Sequence, residues 1–299
     1  MAPEPIAAPH TARPVPAAAL AAASARLAAA GIESAQLDAE LLMAAAAGVA
    51  RASLVGGAAQ IGTAALARFE QMVARREARE PLAYIVGRRE FFSLEFRVRP
   101  GVLIPRPETE TVVEAALDFL RGRPAATVLD IGTGSGAIAI AIARNAPAGR
   151  IVASDISKVS LGIAADNARR HRCADRIAFL EGDCFAVLDG RHPPFDPFDL
   201  IVSNPPYVAA VELASLAPEV RDFEPRVALE GGLEGMDFYR RIAAGLSRWL
   251  ARGGQVILEV GAGQAEMVEA MMLAAGCDES VRMRDLAGVE RVVRARRAH

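Results

Sequence analysis

Short apolar runs alternate with longer amphipathic segments through the C-terminal two thirds of the chain. In the longer segments apolar residues recur every three or four positions, which is typical of helices that cover a sheet. The alternation predicts an α/β domain with a parallel sheet and crossover helices. The predicted strands are Thr127–Ile131, Ile151–Ser154, Ile177–Glu181, Phe198–Ser203 and Gln255–Val260, with two late runs at 281–284 and 289–293. The predicted helices lie at 137–145, 161–170, 238–251 and 264–275.

The first third of the chain has a helical pattern. Ala- and Leu-rich segments with helical spacing are separated by Gly31 and by the pair Gly56-Gly57, which favour breaks between helices. We predict a small helical domain over residues 17–89. Residues 1–16 are rich in Pro and Ala and cannot bury enough apolar surface, which predicts a flexible extension.

The composition changes at Glu80-Pro81. Aromatic and β-branched residues become frequent at 82–86 and 90–98, which favours the two strands of a hairpin. We therefore predict a hairpin and loop linker over 90–108 and a second domain over 109–299.

Composition excludes several classes of protein. A net charge of -2 over 299 residues argues against a general nucleic-acid coat or a membrane-surface protein. Three widely spaced cysteines fit a reducing compartment, and neither they nor the four histidines have the spacing of metal ligands. No secretory or membrane-spanning pattern is visible. We expect a cytoplasmic monomer without a metal, without stable nucleic-acid binding and without a membrane partner.

A glycine-rich loop, Gly132-Thr133-Gly134-Ser135-Gly136, joins the first predicted strand to a helix. Such a loop lets the backbone approach a ligand and offers free N–H groups at the helix start. It also satisfies the dinucleotide fingerprint, and Asp155 after the second strand suits a ribose diol, so the pattern indicates an adenosine-containing cofactor. Asp130 would repel a pyrophosphate, and it suits a cofactor with a positive sulfonium and an amino-acid tail.

The loop with Asp130 and Asp155 resembles the first motifs of the class I S-adenosylmethionine methyltransferases. The resemblance implies a Rossmann-like fold with a mostly parallel seven-stranded sheet, a ribose contact from Asp155 and an adenine contact from Asp183. Many relatives have an aromatic residue at the position of Cys184, and Phe185 would compensate for it here. The implied cofactor-binding residues are Asp130, Gly132, Thr133, Gly134, Ser135, Gly136, Asp155, Asp183, Cys184, Phe185 and Asn204.

The fourth predicted strand stops at Asn204-Pro205-Pro206-Tyr207. Two prolines cannot continue a central strand, and each keeps the preceding residue extended. The result would be a stiff elbow that presents one amide side chain, one carbonyl and one ring. None of these groups is a nucleophile or a strong base, so the elbow suits a planar, uncharged nitrogen that needs orienting.

The elbow is similar to the motif of methyltransferases that act on planar nitrogens, either the adenine amino group or the glutamine amide. The Asn204 oxygen and the Pro205 carbonyl would each accept one N–H, and Tyr207 would stack on the planar group. The predicted catalytic residues are therefore Asn204, Pro205 and Tyr207, and Pro206 completes the predicted substrate contact.

A second set of segments resembles the HemK/PrmC family, the glutamine N5-methyltransferases of peptide chain release factors. The resemblance covers nearly everything from Ala17 and rests on these segments: Pro81–Gly87, Gly101–Glu110 with its Ile-Pro-Arg-Pro-Glu-Thr-Glu run, Glu224–Leu229, and Asp285–Arg291. It implies methyl transfer to the glutamine of a Gly-Gly-Gln loop, with the helical domain docking the release factor. Arg106 and Glu108 either line the substrate mouth or form a loop ion pair, and both interpretations stay open.

Four other interpretations compete with this one. A glutamine methyltransferase of a ribosomal protein shares the elbow, but it usually has a serine at the position of Pro107. A DNA adenine methyltransferase should carry a target-recognition region and a basic groove, for which the charge and length leave no room. An NAD-dependent dehydrogenase would give the elbow no purpose, and a non-catalytic binding module would require that the cofactor does not bind.

Overall fold

The computed structural model describes residues 15–55, 60–146, 149–189 and 195–298. Its backbone contacts divide the chain into two compact units, Met1–Val86 and Gly87–His299. The predicted extension at 1–16 lies outside the described residues except at its end, where Val15 already begins a helix. The predicted break at Gly56-Gly57 also lies outside them.

The first unit is helical, as the sequence predicts. Its helices are α1 (Val15–Ala29), α2 (Ala35–Ala47), α3 (Arg51–Val55), α4 (Thr63–Glu77) and α5 (Leu82–Val86). Their apolar faces meet in one core around Leu27, Leu42 and Phe69, all fully buried. A buried ion pair joins α2 to α4, because the Arg76 Nε lies 2.7 Å from an Asp38 carboxylate oxygen.

The prediction of a strand at 82–86 is wrong, because these residues form α5. The Pro81 carbonyl accepts hydrogen bonds from the backbone N–H groups of Tyr84 and Ile85, which close the first helical turn. Ile85 packs into the helical core. Tertiary burial therefore overrides the strand preference of this short segment.

Both strands of the hairpin lie within residues 88–97, mostly inside the stretch 90–98 that was predicted to form the second strand alone. Strands β1 (Arg88–Phe91) and β2 (Leu94–Arg97) pair antiparallel across a two-residue turn. Phe91 and Phe96 are buried in a core shared with the helix and sheet residues of the second unit. Asn167 also binds both the N–H and the carbonyl of Arg97 through its side chain. The hairpin is thus packed as part of the second unit.

The remaining elements build an α/β domain around a seven-stranded sheet. The strands are β3 (Thr127–Ile131), β4 (Arg150–Asp155), β5 (Ile177–Glu181), β6 (Phe198–Ser203), β7 (Leu250–Glu259), β8 (Cys277–Arg284) and β9 (Glu290–Arg297). The helices are α6 (Glu110–Leu120), α7 (Ala137–Asn145), α8 (Lys158–Arg170), α9 (Pro218–Phe223), α10 (Asp237–Trp249) and α11 (Ala265–Ala274). The seven predicted strands are confirmed, although β7 begins five residues early because Leu250 already pairs with Phe198 before a bulge.

The strand order is β5-β4-β3-β6-β7-β9-β8, with β3 to β7 parallel and β9 antiparallel to its neighbours. The chain moves from β3 outward through β4 to β5 and then returns to the other side of β3 as β6. This reversal opens a crevice at the carboxyl ends of β3 and β6, where ligands bind in open α/β sheets.

Candidate active site

The register of the sheet brings the glycine loop and the proline elbow together. Ile131 at the end of β3 lies opposite Ser203 at the end of β6, and the Ser203 hydroxyl donates to the Ile131 carbonyl at 2.7 Å. The loop from Gly132 and the elbow from Asn204 therefore leave the same edge side by side. A cavity of about 210 Å³ opens there.

Most of the predicted site residues line this cavity. They are Arg106, Gly132, Thr133, Gly134, Ser135, Asp155, Asp183, Cys184, Asn204, Pro205 and Pro206. The cavity wall does not include four others, which are Asp130, Gly136, Phe185 and Tyr207. The contacts of each of these four residues explain why it lies outside the cavity wall.

Asp130 is fully buried at the end of β3. One carboxylate oxygen, Oδ2, accepts from the Thr133 hydroxyl at 2.6 Å and from the Ala139 N–H at 3.2 Å. The other, Oδ1, is buried without a partner among the described residues. Burial, opposed by these hydrogen bonds, raises the pKa of Asp130 to about 7. An unsatisfied buried acceptor beside a cavity fits a ligand cation such as an ammonium group.

Asp155 ends β4 and holds the glycine loop. Its carboxylate accepts from the Gly134 N–H at 2.9 Å and from the Ser157 N–H at 2.8 Å. Burial is the main cause of a raised pKa for this group. The Ser154 carbonyl accepts from the Gly132 and Thr133 N–H groups, so the loop is fixed to β4 over its whole first half. A polyol or ribose ligand would meet a carboxylate that is already oriented.

Gly136 packs two helices rather than touching the cavity. Its φ is +83°, and a Cβ there would lie 2.8 Å from Ile140 Cδ1 and 3.1 Å from Ala164 Cβ. We expect Gly136→Ala to lower the free energy of unfolding by about 1–3 kcal/mol, because it combines overpacking with an unfavourable backbone angle. Gly162→Ala, in α8 with open space around the new methyl group, is the matched control and should not destabilise. Urea denaturation of both variants checks the difference; equal stabilities would contradict this packing role.

Cys184 reaches the cavity, whereas Phe185 does not. The Phe185 ring stacks on Trp249 with centroids 6.5 Å apart, and its edge fills the space left by Gly245. The expected compensation by Phe185 is therefore corrected: its ring belongs to the core under the cavity. Cys184 has a φ of +49°, which turns the chain there. Arg241 from α10 also lines the cavity and forms an ion pair with Asp183 at 2.5 Å.

The elbow side chain is tied to residues from two other elements. Asn204 Nδ2 donates to the Thr109 hydroxyl oxygen at 3.0 Å, and that hydroxyl donates to Glu259 Oε2 at 2.5 Å. Thr109 ends the turn before α6, while Glu259 ends β7. Because Ser203 pairs with Leu258, Glu259 comes level with Asn204 at the sheet edge. Burial raises the pKa of Glu259 to about 7.

Tyr207 is not part of the cavity wall. Its hydroxyl lies 3.5 Å from Glu259 Oε1, and burial raises its pKa to about 12. Its carbonyl accepts from the Gln264 side-chain amide at 2.9 Å. Behind the elbow, a Cβ on Gly231 would come within 2.6 Å of the Pro206 carbonyl, so only glycine permits this close backbone approach. The elbow is thus held on both sides, and the stacking role of Tyr207 stays a prediction.

Arg106 lines the cavity and forms its ion pair with Glu224 rather than with Glu108. Its Nη2 lies 2.6 Å from Glu224 Oε1, and the other Glu224 oxygen accepts from the Ile104 N–H at 3.1 Å. The Glu224 side chain is 1% exposed and that of Arg106 is 29% exposed, so the carboxylate is buried while the guanidinium is partly open to solvent. The expected loop ion pair between Arg106 and Glu108 is therefore wrong, because Arg106 pairs with Glu224 instead. Arg106 also borders the cavity, and its role at the substrate mouth stays a prediction.

Four residues with evident contacts at the site were missed by the sequence analysis: Thr109, Glu224, Glu259 and Arg241. One signal for Glu259 was present, since an acid at the carboxyl end of a strand predicted for a parallel sheet faces the ligand edge. The others depend on contacts between distant segments.

Across the described residues no group of three or more His, Cys, Asp or Glu side chains is arranged to hold a metal ion. No helix in that part of the chain is long and apolar enough to cross a membrane.

Comparison with known proteins gives matches to both units. Residues 18–87 match the family model described as the PrmC N-terminal domain, and residues 106–219 match the methyltransferase small domain. The release factor glutamine methyltransferase of Geobacter sulfurreducens is 44% identical over 89% of this chain and 91% of its own. The enzyme of the same name from Cereibacter sphaeroides is 45% identical over 93% and 97%.

Solved structures match the fold at low sequence identity. The hMettl16 catalytic domain, solved in complex with an RNA hairpin, has a TM-score of 0.55 and 16% identity, covering 75% of this chain and 81% of its own. A methyltransferase from Pyrococcus furiosus has a TM-score of 0.50 and 16% identity, covering 77% and 98%. The second unit therefore has the class I methyltransferase fold, as the sequence analysis predicted.

Proposed function

The chain belongs to the family of release factor glutamine methyltransferases, and from this we propose that it methylates the side-chain amide nitrogen, N5, of a glutamine in peptide chain release factors. The glutamine would be that of the Gly-Gly-Gln loop. The observation that carries the proposal is the position of the Asn204 elbow at the edge of the glycine-loop cavity. Such a substrate implies that the enzyme works in the cytoplasm, and we propose that it does so as a monomer.

We propose S-adenosyl-L-methionine as the methyl donor, and the residues around the cavity fit it. When bound, this molecule supplies an electrophilic methyl group on a positively charged sulfur. Asp130 would hold the ammonium of its amino-acid tail with Oδ1, the buried oxygen that has no partner among the described residues. Asp155 would bind the ribose, and Asp183 with Cys184 would border the adenine. No metal is needed for this chemistry.

The elbow would orient the substrate amide rather than deprotonate it. The nitrogen of a primary amide is a poor nucleophile because its lone pair is delocalised. Asn204 Oδ1 and the Pro205 carbonyl would each accept one of its two N–H groups, which fixes the nitrogen and favours pyramidalisation toward the donor. Once methylated, the nitrogen can lose a proton to water, so a dedicated base is not required. Pro206 and Arg106 would border the incoming loop.

The direct test is transfer of a labelled methyl group to purified release factor. We expect label on the wild-type factor and none on a variant whose Gly-Gly-Gln glutamine is replaced with alanine. Label on that variant, or on neither protein, would refute the assignment. Supplying the ribosomal protein substrate and duplex DNA in parallel tests the two rival methyltransferase functions.

We further propose that the helical unit docks the release factor. Several of its charged side chains form ion pairs within the unit, as Asp38 does with Arg76 and Arg26 with Glu70 and Glu77. We therefore propose that the unit contributes a binding surface and no catalytic group. Removing residues 1–86 should raise the KM for the intact release factor while cofactor affinity, measured by calorimetry, is kept. An unchanged KM would exclude the docking role.

A further inference from the structure

A chain of hydrogen bonds runs from Asn204 through Thr109, which also lines the cavity, to the buried carboxylate of Glu259. Asn204 Nδ2 lies 3.0 Å from Thr109 Oγ1, and Thr109 Oγ1 lies 2.5 Å from Glu259 Oε2. Thr109 is 4% exposed and Glu259 is 1% exposed, so water does not compete for these groups. We call Asn204, Thr109 and Glu259 the amide relay.

The direction of the relay follows from the chemistry of its last member. An ionised carboxylate only accepts hydrogen bonds, so the Thr109 hydroxyl must donate its single proton to Glu259. The Thr109 oxygen then has only lone pairs to offer to Asn204. Asn204 must therefore turn its NH2 group toward Thr109, which leaves Oδ1 as the group that can face the cavity.

This direction matters because the two ends of an asparagine amide have nearly the same shape and opposite hydrogen-bonding character. With Oδ1 toward the cavity, Asn204 accepts an N–H from a substrate amide. If the Asn204 amide were rotated by 180°, its NH2 group would face the NH2 group of the substrate amide, and no hydrogen bond could form. Nothing in the shape of the side chain distinguishes these two states, so the choice depends on the partner.

We propose that Glu259 is a positioning residue that, through the Thr109 hydroxyl, fixes the Asn204 amide with its oxygen toward the substrate nitrogen. The proposal rests on the proposed function, since it assigns the orientation of the group that would receive the amide. The proposal also assigns a positioning role to Thr109, the threonine of the Ile-Pro-Arg-Pro-Glu-Thr-Glu run.

The charge of Glu259 adds a pH dependence. Burial raises its pKa to about 7. Its surroundings include the Tyr207 hydroxyl near Oε1, the Tyr239 hydroxyl on its backbone carbonyl, Glu108, which raises the pKa, and Arg291 and Arg106, which lower it. Below about pH 7 the protonated carboxyl group gains a donor and no longer dictates which way the Thr109 hydroxyl points. The fraction of correctly oriented Asn204 should therefore fall as the pH is lowered.

Three variants test the relay at saturating cofactor and release factor. Thr109→Val keeps the shape but removes the hydroxyl, and Glu259→Gln keeps the shape but lets either partner donate. We expect each to lower kcat by on the order of 10- to 100-fold, because a misplaced orienting group costs that much, while the cofactor Kd changes less than about threefold. Thr109→Ser restores the hydroxyl and should recover most of the lost kcat. An equal loss of kcat in Thr109→Val and Thr109→Ser would overturn the proposal. An unchanged kcat in Thr109→Val, or in Glu259→Gln, would overturn it as well.

The pH profile separates positioning from a purely structural role. Wild-type kcat at saturating cofactor should fall on the acid side with a midpoint near 7, and Glu259→Gln should lack this limb. Asp130 titrates in the same range, but its protonation weakens cofactor binding and is masked at saturation. An identical acid limb in Glu259→Gln would count against the relay.

A readout without turnover keeps this proposal distinct from the proposed function. In the ¹⁵N spectrum of the full chain, the Asn204 side-chain NH2 signals should shift with a midpoint near pH 7, and this shift should be lost in Glu259→Gln. Signals that do not respond to pH would overturn the relay even if the wild type methylates release factor. Conversely, a responsive signal with no methyl transfer would refute only the proposed function.

Discussion

Replacing Asn204 with alanine should lower kcat for methyl transfer by on the order of 10²–10³-fold, the usual effect of removing one preorganised hydrogen-bonding group at a reacting centre. The amide of Asn204 borders the cavity and is anchored through Thr109, so its oxygen is already oriented when a substrate arrives. Without it, only the Pro205 carbonyl remains to hold the nitrogen. Single-turnover kinetics with purified release factor measure the effect on the chemical step.

Asn145→Ala is the matched control for this change. Asn145 ends α7, is exposed, and its side chain donates to the Ala141 carbonyl of its own helix, the one side-chain hydrogen bond it makes among the described residues. The control should keep the wild-type rate, and cofactor affinity should stay within about threefold in both variants. If Asn204→Ala turned over as fast as Asn145→Ala, the elbow would not be the site of amide orientation.

Replacing Asp130 with asparagine should weaken cofactor binding by on the order of 10- to 100-fold, which corresponds to one lost charge-assisted hydrogen bond. Asparagine keeps the volume and can still accept from Thr133, but it has no charge to offer an ammonium group. Calorimetry with S-adenosyl-L-homocysteine, which has the same amino-acid tail, measures the loss directly. Asp118→Asn on the exposed face of α6 is the control and should bind normally.

The same carboxyl group should make cofactor affinity depend on pH. Its pKa near 7 means that the charged form, which binds the ammonium, is lost as the pH falls. Affinity should level off above that value and decrease by up to about tenfold per pH unit below it, until it reaches the affinity of the uncharged Asp130→Asn variant. Asp130→Asn should show a flat profile over the same range. A flat profile in the wild type would mean that Asp130 does not meet the cofactor charge.

Much of the second unit could be predicted because local patterns determine it. The apolar run before Asn204 and the two prolines after it fix both the end of β6 and the elbow. Glycines at the end of β3 likewise mark the loop that enters α7. Once the strands are parallel, their carboxyl ends must share one edge, so the meeting of loop and elbow follows from the sequence pattern.

The parts that could not be predicted depend on register and on contacts between distant segments. Thr109 meets Asn204 across 95 positions, and Arg106 meets Glu224 across 118. Neither of these sequence separations follows from the periodicity of apolar residues. Glu259 comes level with Asn204 only because β6 and β7 pair with Ser203 opposite Leu258 after a bulge near Phe198. Phe185 turns into the core because Trp249 and Gly245 make room for its ring there.

The helical unit shows the same limit on a small scale. Residues 82–86 have the branched and aromatic composition of a strand, yet they form a short helix because Ile85 is buried against the other helices. A five-residue segment carries too little intrinsic preference to resist such packing.

The measurement that bears most directly on the proposed function is the position of the transferred methyl group. Release factor, the ribosomal protein substrate and duplex DNA are mixed with the enzyme and S-adenosyl-L-methionine, and the products are mapped by tandem mass spectrometry. We expect one methyl group on the side-chain nitrogen of the Gly-Gly-Gln glutamine and none on the other two substrates. A methyl group on the ribosomal protein, on adenine or on a different residue of the release factor would contradict the assignment.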